Sequence, residues 1–155
     1  MTYVGGPAPE GCIFCDAAQT ATPRDRLVLC QGAAVVMLNR FPYASGHLLV
    51  APASHVGDLG ALPADDFVAL MRTLQRVTAV VQEVFRPDGM NVGINLGQVA
   101  GAGIADHVHW HIVPRWSGDT NFMPMLADVR VMPEHLEATY ERLAPHFAGP
   151  PGSRV

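Results

Sequence analysis

Between Asp106 and Pro114 the chain reads Asp-His-Val-His-Trp-His-Ile-Val-Pro, three histidines in strict alternation with apolar residues. An extended strand sends successive side chains to opposite faces, so a period of two reads as a β-strand, here His107–Val113. His107, His109 and His111 then share one face, while Val108, Trp110 and Ile112 turn to the core. A column of imidazoles is poor filler for an exposed face. It can serve a metal, structural or otherwise, a nucleophile or an anion.

A glycine-rich stretch leads into this strand: Gly93-Ile94-Asn95-Leu96-Gly97-Gln98-Val99-Ala100-Gly101-Ala102-Gly103. Glycine lets the backbone approach a ligand closely and present successive N–H groups, which hold phosphate without a cationic side chain. That matters because all 10 basic residues are arginine and lysine is absent. Schiff-base catalysis, a pyridoxal-phosphate site and a Walker-type phosphate loop all need a lysine amine and are excluded. The net charge of -4, with no basic block, argues against duplex nucleic acid or an anionic membrane as partner.

With 155 residues the chain reads as one domain, 1–155, able to bury a core without disulfides. Residues 1–10 and 149–155 are rich in Gly and Pro and read as loose tails. Neither a secretory signal nor an apolar run of membrane-spanning length is visible, so a reducing cytoplasm is expected. There a Cys12-x-x-Cys15 pair is a metal or redox element rather than half of a disulfide framework. Strands are expected at Leu27–Cys30, Ala34–Asn39, His47–Ala51 and Asn91–Leu96 as well as at the histidines. Pro63–Phe85 reads as a helix with Phe67, Leu70, Met71, Leu74, Val77, Val81 and Val84 on one stripe. A second helix is expected over Glu134–Phe147. Strands joined by short turns, with segregated helices, give an α+β fold around an antiparallel sheet of about five strands and two main helices.

Upstream of the glycine loop lies Leu38-Asn39-Arg40-Phe41-Pro42-Tyr43-Ala44-Ser45-Gly46-His47. This segment, its spacing of Asn39 to His47, and the alternating histidines together resemble the histidine triad (HIT) superfamily, whose signature is His-φ-His-φ-His-φ-φ with φ apolar. The likeness runs from about Cys12 to about Pro124. It is strongest to bacterial diadenosine tetraphosphate phosphorylase-like proteins. The resemblance implies a HIT-like fold and cleavage of dinucleoside polyphosphates, by phosphorolysis or hydrolysis, through a nucleotidyl-histidine. It makes His109 the nucleophile, His111 a hydrogen-bonding partner of the phosphate and His47 a supporting residue. Asn39 takes the ribose position, with Leu38 and Arg40 beside it, and Asn95 the phosphate-side asparagine.

Many relatives carry Gln-Ser or Gln-Thr just before the triad, where this chain has Gly103 and Ile104. Backbone N–H groups around Gly101, Ala102, Gly103 and Ile104 are left to meet the phosphate, and Trp116 is a candidate for lining that side. The added space suits inorganic phosphate as second nucleophile. It argues against a nucleoside phosphoramidase-like or dinucleoside triphosphate hydrolase, the nearest alternatives. A non-catalytic nucleotide-binding regulator is the alternative of another class. The zinc-bearing branches of the superfamily imply a structural zinc on Cys12, Cys15, His55 and His107. The family also implies a homodimer, with the Pro63–Phe85 helix at its interface, and a divalent cation is compatible as companion of the polyphosphate. Cys30 is expected in the core, His135 and His146 at the surface, and Met123-Pro124-Met125-Leu126 in the core or at a partner contact.

Overall fold

The central strands form where β-branched and long apolar residues alternate between two buried faces. In the computed structural model, which describes residues 11–119 and 135–148, β1 (Val28–Cys30), β2 (Ala34–Leu38), β3 (Leu48–Pro52), β4 (Gly89–Ile94) and β5 (Trp110–Arg115) build one sheet. Its order is β1-β2-β3-β5-β4, and every neighbouring pair is antiparallel. Both β2 and β3 are buried at all five positions. Two cores follow from their alternation. Val36, Leu38, Leu48 and Val50 face one side with Trp110 and Ile112. Val35, Met37, Leu49 and Ala51 face the other.

The first side is covered by α2 (Ala64–Phe85) and α3 (Leu136–Leu143). In α2, Asp65 and Asp66 in the first turn complement the positive end of the helix dipole, and Arg86 in the left-handed conformation ends it. Leu70, Val77 and Val81 are fully buried, each contributing about 1.5–3 kcal/mol of hydrophobic stabilisation. Pro63 stands at the N-cap rather than at the first helical position. Phe67 leaves the expected core stripe and is 39% exposed. At 100° per residue it falls on the outward-turned edge of that stripe, where it lines a shallow groove with Val68, Met71 and Leu74.

Among the described residues, the second side is covered in part by α1 (Ile13–Gln19), a helix that the sequence pattern does not announce. Phe14 and Ala17 of α1 pack on Val28, Val35, Met37, Leu49 and Ala51. The histidines occupy the rest of this side.

Two strand boundaries differ from expectation in ways that bear on the site. β4 starts at Gly89, two residues early, because its ladder with β5 runs from Gly89↔Arg115 to Ile94↔Trp110. β5 starts only at Trp110, so His107–His109 lie outside the ladder. The β3 register ends at Val50↔Trp110; continuing it would pair Ala51 with His109 and then set Pro52, which has no N–H to donate, opposite Val108. Val108 instead donates its N–H to the carbonyl of Val56 at 2.7 Å. The expected loose tails and the Met123–Leu126 segment lie outside the described residues.

Candidate functional site

His111 stands on β5 opposite Leu49 of β3 and Gly93 of β4. His47, which ends the turn after β2, reaches it from the side with Nε2 3.0 Å from His111 Nδ1. The rings of His109 and His111 are 5.1 Å apart, and Phe14 lies 4.8 Å from His109. Both His47 and His107 are fully buried, and His109 is 5% exposed.

Burial penalises charge on every one of these rings. It is the main cause that lowers His47 to about 3 and His111 to about 4, each helped by its histidine neighbour. His109 is lowered by burial too, against a smaller opposing effect of the His107 carbonyl. The imidazoles are therefore neutral near pH 7, and each carries one N–H and one lone pair.

Hydrogen bonds decide which nitrogen carries which. Asn39 Oδ1 accepts from the Phe41 N–H at 2.9 Å, which leaves the Asn39 amide as a donor toward His47 Nδ1 at 3.3 Å. The backbone N–H of Tyr43 also donates to His47 Nδ1, at 3.1 Å. That nitrogen is thus an acceptor, so His47 donates from Nε2 to His111 Nδ1. His111 must then bear its proton on Nε2, a buried atom with no hydrogen-bond partner among the described residues. On His109 the order is reversed. Its Nδ1–H donates to the His107 carbonyl at 2.8 Å, leaving a free lone pair on Nε2. A lone pair and a donor N–H thus stand on neighbouring rings, which suits an electrophile whose oxygens need hydrogen bonds.

Tyr43 was not among the residues expected from sequence. Its contribution to tautomer control comes from a backbone N–H, which has no residue signature; only the Pro-x-x-x-Gly-His turn hinted at the tight geometry. Its ring also lies over His47 and stacks on His111 at 13°.

The other expected pocket residues divide. Asn39 and His47 are joined to His111 as described. Asn95 donates to the Gly101 carbonyl at 3.4 Å, and so braces the glycine loop, in which Gly97 and Gly101 have positive φ. Gly103 is exposed, Ala102 is buried, and Ile104 packs on the core beneath α1. Leu38 faces the α2 side of the sheet, away from the histidines. It is carried there by alternation, one residue before Asn39. Arg40 points to the Asp25 carbonyl at 3.1 Å. Trp116 follows the far end of β5, five residues and about 17 Å of strand beyond His111.

A second cluster adjoins the first. Cys12, Cys15, His55 and His107 bring one ligand atom each within 4.8 Å of one another. Cys12 Sγ is 3.1 Å from His107 Nδ1, and Cys15 Sγ is 3.2 Å from His55 Nδ1. Two thiolates and two imidazoles around a tetrahedral ion stand about 3.3–3.8 Å apart, so the set is only slightly relaxed from that shape. His107 Nε2–H donates to the Pro52 carbonyl at 3.0 Å, which frees Nδ1 to face the thiols, as second-shell partners of metal-bound histidines do. The Cys15 thiol is pushed up by burial and by the neighbouring Cys12, Asp16 and Asp106, and a cation would reverse that. These four side chains form a site that could hold a metal ion.

A model of the HIT domain matches residues 22–118. The chain belongs to the HIT family. The match excludes Cys12 and Cys15, so half of the thiol–imidazole cluster lies outside the shared HIT region. AP-4-A phosphorylase of Mycobacterium tuberculosis is 41% identical over 126 residues, covering 81% of this chain and 65% of that protein. This HIT chain therefore spans just under two thirds of the phosphorylase's length. Bis(5'-adenosyl)-triphosphatase of Dictyostelium discoideum is 38% identical over 79 residues, 51% of this chain and 52% of that one. Among solved structures, a Zn-bound histidine triad family protein from Mycobacterium smegmatis superposes with a TM-score of 0.68 at 27% identity, covering 88% of this chain and 93% of the other.

Proposed function

We propose that this chain cleaves dinucleoside polyphosphates, with diadenosine tetraphosphate as the leading substrate, through a nucleotidyl intermediate on His109. The observation that carries this reading is the pairing of the His109 Nε2 lone pair with the His111 Nε2–H, which has no partner among the described residues. In the first step His109 Nε2 attacks the α-phosphorus, an N–P bond forms, and the P–O bond to the departing nucleoside polyphosphate breaks. The positive charge developing on the ring is stabilised by the His109 Nδ1–H···O=C bond to His107. His111 donates its Nε2–H to a phosphoryl oxygen, and glycine-loop amides supply further donors where no lysine is available. In the second step an oxygen nucleophile breaks the N–P bond and restores the lone pair. Asn39 holds the ribose in this reading.

Inorganic phosphate is favoured over water as that second nucleophile. The absence of bulky donors at Gly103 and Ile104 supports this, as does the 41% identity to an AP-4-A phosphorylase. Incubation with diadenosine tetraphosphate, with and without phosphate, tests it. ADP plus ATP marks phosphorolysis, AMP plus ATP marks hydrolysis, and no product in either condition refutes the enzyme reading.

The Cys12, Cys15, His55 and His107 cluster is read as a structural zinc site, supported by its donor set and by the Zn-bound neighbour. Zinc there would lower the thiol pKa values and tie α1 to the sheet; the chemistry at His109 does not pass through it. A homodimer is supported by the apolar groove on the outer face of α2 and by the place of β4 at the edge of the sheet among the described strands. Among the described residues no helix is long and apolar enough to cross a membrane. A single-domain cytoplasmic enzyme is the reading consistent with reduced cysteines.

A further inference from the structure

Phe14 occupies an unusual place. It sits between Cys12 and Cys15 in sequence and is fully buried. Its ring touches both clusters at once, with centroids 5.1 Å from His107 at 53° and 4.8 Å from His109 at 33°. The helix that carries it is seven residues long and has no side-chain N-cap. A helix of that length does not persist on its own propensity. It is held by the packing of Phe14 and Ala17 on the sheet, by the Gln31 side-chain N–H bonds to the Ala17 and Thr20 carbonyls at its far end, and, at the end that carries Phe14, by the approach of its thiols to His55 and His107. His107 is likewise shared. Its side chain faces the thiols while its carbonyl accepts the His109 Nδ1–H. His107–His109 lie outside the β5 ladder, so sheet hydrogen bonds do not fix the His109 ring.

We infer that Phe14 is a positioning residue for His109, and that closing Cys12, Cys15, His55 and His107 around a metal ion presses its ring onto the imidazole and keeps the lone pair on Nε2. Two contacts transmit this, the Phe14 ring against one face of His109 and the His107 carbonyl on its Nδ1–H. The identity of His109 as nucleophile rests on the function proposed above; the coupling does not.

The test uses the full chain labelled with 15N in its histidine rings. Ring resonances are recorded in zinc-loaded protein, after stripping with chelator, and after one equivalent of zinc is returned. Stripping is expected to move His109 from a fixed Nδ1–H pattern to an averaged one, and zinc to restore it. In Phe14→Leu, zinc binds with unchanged stoichiometry, but His109 keeps the averaged pattern. With diadenosine tetraphosphate the same variant loses roughly 10- to 100-fold in kcat, while its affinity for AMP stays within about twofold. Identical His109 resonances in loaded and stripped wild-type protein overturn the inference, as does a wild-type chain that takes up no zinc. A wild-type pattern in Phe14→Leu overturns it equally. Should Phe14→Leu fail to fold, the wild-type titration decides alone. A wild-type protein with the expected resonances and no turnover refutes the proposed reaction and leaves the coupling supported.

Discussion

His47 and His111 share one proton along a 3.0 Å line between Nε2 and Nδ1, with His47 buried, His111 half-buried and both rings neutral. Folding therefore refuses protons that the unfolded chain accepts. Stability is full above pH 6.5, the ordinary histidine value, and is lost as the pH falls toward about 4 and then about 3. Each histidine adds up to about 1.4 kcal/mol per pH unit to that slope. Denaturant titrations between pH 7 and 4 should show it, and His47→Gln should flatten it. An unchanged slope in that variant would count against the neutral pair.

His109→Ala should remove nearly all turnover, by about three orders of magnitude or more, and leave AMP binding measurable. Rate assays and calorimetry on one preparation separate the two. Retention of more than about a tenth of the wild-type rate would be incompatible with a nucleophilic His109.

Cys12→Ser should lose bound zinc and lower the melting temperature, because a ligand held only by the folded state stabilises it. Metal analysis of protein purified without chelator should give about one zinc per wild-type chain and less in the variant. Equal melting temperatures for zinc-loaded and stripped protein would show that the cluster does not tie α1 down.

Two glycines should be intolerant for different reasons. Gly46 has φ +77°, and a Cβ there would stand 3.0 Å from the Phe85 ring. At Gly57 a Cβ would meet the Asp106 backbone at 3.0 Å, where the loop carrying His55 passes the start of the triad. Gly46→Ala should cost roughly 1–3 kcal/mol. Gly57→Ala should weaken zinc binding as well as stability. Gly32→Ala, where nothing lies within 4 Å, is the control. It should fall within about 0.5 kcal/mol of wild type, and a comparable loss in all three would remove the steric explanation.

What the sequence made legible was periodic or chemically marked. The alternation of Val108, Trp110 and Ile112 toward the α2-side core follows from a period of two, and the long helix from its apolar stripe. The convergence of Cys12, Cys15, His55 and His107 was reached through family likeness, since no spacing rule joins residues 95 positions apart. The short helix at Ile13–Gln19 stayed hidden because tertiary packing, rather than propensity, makes it. The early end of the β5 ladder was equally invisible, being set by a missing N–H on another strand. Leu38 is next to Asn39 in sequence, yet alternation sends its side chain to the face opposite the histidines.

The strand order puts β5 between β3 and β4 rather than at an edge. His47 and His111 are 64 residues apart along the chain, with all of α2 between them. Such a pairing must close a long loop before it is rewarded, so it belongs to the slow part of folding. A chain emerging from the ribosome can form the β2–β3 pairing early and bury α2 against it. It carries no aligned histidines until β5 has been synthesised and inserted beside β3. In the proposed reaction the growing chain therefore has no nucleophile for most of its synthesis, and His109 meets its neighbours only once β5 is inserted beside β3.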